Sequence, residues 1–223
     1  MTYTEHVHVI FGILTAITGG LALWHAFHPR SRSRFVWPVL TFIIGFCLFV
    51  PVEAQTRNYM QVGWWATLIS IVPDSPKYWL RNWFTTLPQW HVVQHKLASL
   101  MIMIVGVVAW RDARGRLASP AWRFVLPVLL VAIGVAFGVH GGTEHHLMHR
   151  NEQLHHRILG VCFTIAGAVQ GLVEAGRLRG PWRGAWAALV LAVGLDIAFF
   201  YRLAPGDLHN GGHAHASADT RLR

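Results

Sequence analysis

Six stretches of the chain are apolar around the whole circumference of a helix: about 8–27, 35–52, 92–110, 121–140, 156–174 and 184–202. Each reaches, or nearly reaches, the roughly 20 residues that carry a helix across a bilayer. A helix resting on a soluble core would keep one polar face, and these keep none. The pattern predicts an all-α polytopic membrane protein with six transmembrane helices arranged as three helical hairpins. One domain is expected over 1–205, with an outer loop at about 53–90 and a flexible His-containing tail over 206–223.

Composition strengthens that picture. Of 223 residues, 53% are hydrophobic and only 13% charged, too apolar for an ordinary soluble domain. The net charge of +9 is a matter of topology. Three short connections carry Arg30, Arg32 and Arg34, then Arg111, Arg114, Arg116 and Arg123, then Arg177, Arg179 and Arg183, against only Asp112 and Glu174. Basic short loops stay in the cytoplasm, which places both termini outside. Without a basic stripe on a soluble surface, nucleic acid is excluded as a partner. Met1 to Glu5 lacks the basic start of a cleaved signal peptide, so the first segment is expected to remain as a helix. All eleven tryptophans lie near segment ends or in the long outer loop, the distribution of an interfacial aromatic belt. A bacterial plasma (inner) membrane is the expected location, and the lipid bilayer is the first partner.

With that topology every histidine except His25 and His28 falls on or near the outer face. These are His6, His8, His91, His95, His140, His145, His146, His149, His155 and His156, with His209, His213 and His215 in the tail. Interfacial His25 and His28, beside Pro29 at a helix end, suit the helix dipole and are set aside. Should Thr143 cap a helix leading into the fifth span, His145, His149, Glu152 and His156 form one stripe at i, i+4, i+7 and i+11. His91 and His95 are a further i,i+4 pair, and two imidazoles so spaced can bind one metal.

Three of these histidines share a spacing. His8, His95 and His156 each open an apolar run and are each followed eleven residues later by a glycine, Gly19, Gly106 and Gly167. A shift of 61 residues also superimposes Gly176-Arg177-Leu178 on Gly115-Arg116-Leu117, Pro181 on Pro120 and Leu191 on Leu130. Internal similarity of this kind marks a fold built from repeats. The first copy keeps mainly His8 and Gly19. Glu53, His140 and Tyr201, each 45 residues after its histidine, return to the same level.

The candidate metal ligands are therefore His8, His91, His95, His140, His145, His149, Glu152 and His156, with His6, His146, His155, Met148, Glu144, Asp196 and Glu53 behind them. Imidazole with nearby thioether favours copper, zinc being the next choice. Met60, Met101 and Met103 are expected to be lipid or core filler. A b-type haem is the alternative. It would need imidazoles on facing helices from His95, His156, His140 or His8, with Lys96 and Arg157 near its propionates. Asp196, inside the sixth span, is expected either to orient a ligand histidine or to pair with Arg202 or Lys96. Cys47 and Cys162 are expected as small buried residues, with a disulfide or thiolate ligand as the sharper reading. Trp79, Leu80, Trp83, Phe84 and Leu87 fall at helical spacing and predict an interfacial helix over the outer leaflet, a connector or a lid.

A chain with this outer histidine cluster resembles copper-handling membrane proteins, in general layout the copper-resistance D (CopD-like) family. His91-Val-Val-Gln-His95 resembles the H-x-x-Q-H element of the CtaG family. The resemblance covers a few residues and the layout. It implies copper uptake, resistance or delivery at the outer membrane face, with a periplasmic metallochaperone or an oxidase or other redox partner. A b-haem electron-transfer protein is the second reading. A membrane metal-dependent oxidase or hydroxylase is the third, prompted by His91, His95, His145, His146, Glu152, His155 and His156. That set resembles the His boxes of di-iron desaturases, whose boxes face the cytoplasm. Whether the protein is an enzyme stays open. No nucleophile triad, phosphate loop or dinucleotide fingerprint is visible.

Overall fold

The computed structural model describes residues 3–49, 90–117, 119–139 and 150–201. Among them every long element is a helix. These are α1 (Tyr3–Phe27), α2 (Ser33–Phe49), α3 (Trp90–Ala113), α4 (Val125–Gly138), α5 (Arg150–Glu174) and α6 (Ala185–Phe200). Short 3-10 turns, Pro120–Phe124 and Gly180–Gly184, lead into α4 and α6. The all-α expectation holds. The interfacial helix expected around 79–87 and the tail lie outside the described residues.

Four segments are long and apolar enough to cross a membrane: His8–Phe27, Pro120–Gly138, Gln153–Glu174 and Gly180–Phe200. The other two expected spans, α2 and α3, are not among these four. Helix α2 is apolar but only 17 residues long. Helix α3 runs for 24 residues, long enough for a span. Both helices nevertheless expose large apolar side chains in stripes, Val36, Val39, Ile43 and Phe46 on α2 and Leu97, Leu100, Ile104 and Val107 on α3. The remaining helices do the same, through Ile10, Ile13 and Ile17, Val128 and Val135, Leu154, Val161 and Ile165, and Leu195 and Phe199. Bulky apolar groups outside and small residues inside is the inverse of a water-soluble bundle, and it marks a membrane-embedded protein.

The helices form a closed ring in which each packs on its sequence neighbours and α6 returns to α1. The expected hairpins are not the closest pairs. Those are α6 with α1, α2 with α3, and α4 with α5. Small residues explain why. A Cβ added to Gly106 of α3 would lie 2.7 Å from Phe42 N and Pro38 O of α2. One added to Gly167 of α5 would lie 2.6 Å from Pro127 O of α4, and Gly19 of α1 abuts Leu191 N of α6. The partner helices answer with glycines of their own. Gly45 meets Ser99 and Met103, Gly134 meets Gly160 and Thr164, and Gly194 meets Gly12 and Ala16. In lipid, where no hydrophobic force drives helices together, such close backbone approach provides the packing energy.

These contacts also adjust the sequence alignment of the copies. Gly167 meets Val131 where Gly19 meets Leu191, so Leu191 corresponds to Val131 and not to Leu130. The shift changes because Pro120-Ala121-Trp122 has one residue more than Pro181-Trp182. Before that point the 61-residue offset is kept by the helix ends. Gly115 and Gly176 have positive φ (64° and 72°), and Arg116 N and Arg177 N reach back to the carbonyls of Arg111 and Leu172, each at 2.9 Å. Both are left-handed C-caps that return the chain toward the next helix.

The interior has two apolar clusters. Toward the arginine-bearing end, Ala22, Trp37, Val105, Leu130, Ala166, Trp186, Ala187 and Val190 pack together, with contributions from all six helices. Trp37 and Trp186 meet edge to face, centroids 5.5 Å apart. Nearer the opposite end, Leu159, Val193, Ile197 and Tyr201 form the second cluster, flanked by Phe137, Cys162 and Phe163. Cys47 and Cys162 are free and partly buried, as expected for packing residues.

Candidate metal centre at the histidine end

Helix direction alternates, so the starts of α1, α3 and α5 and the ends of α2, α4 and α6 share one end of the ring. The arginine turns occupy the other. At the first end the structure concentrates buried polar side chains: Gln94, Lys96 and Ser99 of α3, and His155 and His156 of α5. A carboxylate within an apolar membrane helix is costly unless paired, and Asp196 of α6 has a partner. That partner is His155, whose Nδ1 stands 2.7 Å from Oδ2. The carboxylate can only accept, so Nδ1 carries the proton and donates. In the neutral tautomer Nε2 then presents its lone pair.

Tyr201 fixes the third side. Only 1% exposed, its ring stacks on His8 with centroids 3.9 Å apart and lies 5.5 Å from the His155 ring. His8 of α1, His155 of α5, Asp196 of α6 and Tyr201 just past the end of α6 thus meet at one corner of the ring. His156, also buried, turns toward Phe137 of α4 at 5.7 Å. Lys96 caps a helix: its Nζ donates to Phe49 O at 2.6 Å and lies over the Phe49 ring. A cation at the negative end of a helix dipole is well placed there.

Several sequence-level candidates are located by this arrangement. His155, secondary to His156 in the sequence, holds the carboxylate contact. Asp196, expected to orient a histidine or to pair with Arg202 or Lys96, pairs with His155. Arg157 is exposed on α5. His6 lies in α1, His91 and His95 in α3, and Glu152 in α5, and their helical positions are all that is described of them. His140, Glu144, His145, His146, Met148, His149 and Glu53 lie outside the described residues, as do Thr143 and the tail histidines. Among the described residues no group of three or more His, Cys, Asp or Glu side chains converges to ligand distance.

No family model, curated protein or solved structure matches the chain.

Proposed function

We propose that the protein is a multi-pass plasma-membrane protein that binds a transition-metal ion, copper best, at its histidine end. The observation that carries this reading is the His155–Asp196 pair. A carboxylate that holds Nδ1–H of a buried histidine fixes the ring and leaves Nε2 basic, the arrangement that orients imidazole ligands toward metals. Thirteen of the fifteen histidines lie at that end or in segments attached to it, which offers further ligands. Imidazole donors suit copper and zinc, and copper ranks above zinc in affinity.

In this proposal all six helices span the bilayer. The outward stripes of α2 and α3 support counting them with the other four. The arginine turns lie in the cytoplasm and the histidine end faces the periplasm. The recurrence of the same glycine contact at α1–α6, α2–α3 and α4–α5 supports a hairpin copied three times.

Handling at the outer face is favoured over conduction. Among the described residues, apolar side chains from all six helices pack into one interior cluster toward the arginine turns. A bare ion crossing it would meet an idealised solvation cost on the order of 20 kcal/mol. Delivery to, or capture from, a periplasmic metallochaperone or oxidase fits a site open to one side only. The b-haem reading is the alternative: further along α5 from His156, Leu159, Cys162 and Phe163 pack in an apolar cluster with Val193, Ile197 and Tyr201.

Calorimetric titration of the metal-stripped full chain with Cu(II) tests the proposal. A saturable site should appear, be lost or much weakened in His155→Ala, and persist in His28→Ala. Equal binding by all three proteins would contradict it.

A further inference from the structure

At the opposite end of the ring, an open groove of about 500 Å³ is lined by Trp24, His28, Pro29, Arg30 and Ser31. It lies outside the histidine site and beside the last turn of α1. Its floor is a built surface: the Trp24 and His28 rings stack 3.9 Å apart, only 15° from parallel. His28 Nδ1 is 3.2 Å from Trp24 O, a carbonyl that can only accept, so Nδ1 donates and Nε2 faces away from the helix. More than half of Trp24 is exposed, at the end of a span long enough to cross a membrane. Arg30 lines the groove, and Arg32 and Arg34 follow it closely in sequence. The groove therefore combines an aromatic surface with the Arg30 guanidinium and the His28 imidazole.

We propose that this groove binds one anionic phospholipid of the surrounding leaflet, an acyl chain along Trp24 and the phosphate against Arg30 and His28. Both halves of such a lipid find matching chemistry here, whereas a free phosphate would use only Arg30 and His28. The proposal rests on membrane embedding but not on the metal site. Carbonate extraction of membranes tests embedding separately: release of the chain would remove that premise, whereas retention leaves the groove to be judged alone.

The test is native mass spectrometry of the full chain from nanodiscs containing equal phosphatidylglycerol and phosphatidylcholine. Phosphatidylglycerol should be retained preferentially as a single adduct. The double variant Arg30→Gln, His28→Gln should lose that preference by at least about fivefold, since a basic residue at the membrane surface accounts for roughly that factor. Arg116→Gln, in a different arginine turn, should leave it unchanged, and matching melting curves would show all variants folded. Equal retention of both lipids would overturn the proposal. So would an Arg116→Gln loss as large as that of the double variant, which would indicate a diffuse basic field. Displacement of the adduct by inorganic phosphate alone would overturn the lipid as occupant.

Discussion

Replacing Gly19 by alanine should open the ring where it closes, and replacing Gly20 should not. The two glycines are adjacent in α1, so any gain in helix propensity, up to about 1 kcal/mol, is shared. They differ in what a methyl group meets. At Gly20 there is nothing within 4 Å of the Cβ position. At Gly19 the methyl would abut Leu191 N and lie 2.8 Å from Leu191 Cα, both backbone atoms of α6 that cannot rotate away. Carbon atoms pack best at about 3.5–4.0 Å, so α1 and α6 must separate by roughly 1 Å. Overpacking of this kind typically costs about 1–3 kcal/mol. For a chain of this size that is a drop of roughly 2–12 °C in Tm relative to Gly20→Ala. Thermal unfolding in detergent, followed by near-ultraviolet circular dichroism, measures the difference. Gly106→Ala and Gly167→Ala should behave like Gly19→Ala, because each meets the backbone of α2 or α4 in the same way. A Gly19→Ala protein as stable as Gly20→Ala would refute the close-packed closure of α1 on α6.

Other expectations follow from the same structure. Asp196→Asn keeps the side-chain shape but removes the charge that holds His155 Nδ1–H; copper affinity should fall about 10- to 100-fold by calorimetry with the melting curve little changed. Arg116→Cys should react with a membrane-impermeant thiol reagent only in inverted vesicles or broken cells, which fixes the arginine turns on the cytoplasmic side. Proteoliposomes loaded with a copper-sensitive dye should show no flux above that of empty liposomes, because apolar side chains from all six helices pack together around Trp37 and Trp186.

The existence and approximate limits of the helices were legible in the sequence because a lipid-embedded helix is apolar all round, a signal that needs no partner. The arginine turns were legible for a similar reason, and the caps at Gly115 and Gly176 sit where the 61-residue repeat puts them. Pairing was less legible. The H-x10-G spacing pointed to the right glycines but suggested hairpins, whereas each of those glycines packs most closely on the preceding helix of the ring. The missing clue was the second set, Gly45, Gly134 and Gly194, seven residues after Pro38, Pro127 and Ala187, which only a paired reading of both helices reveals. The site followed the same division. Histidine enrichment at one end could be counted, but the partner of His155 lies 41 residues away on another helix, and no local spacing encodes that contact.

The most direct test of the central claim is a visible spectrum and elemental analysis of one sample: the purified full chain, loaded with copper and dialysed. The account predicts about one tightly held copper per chain, no Soret band, and loss of the copper in His155→Ala. A Soret band, or protein that emerges metal-free after loading, would contradict it.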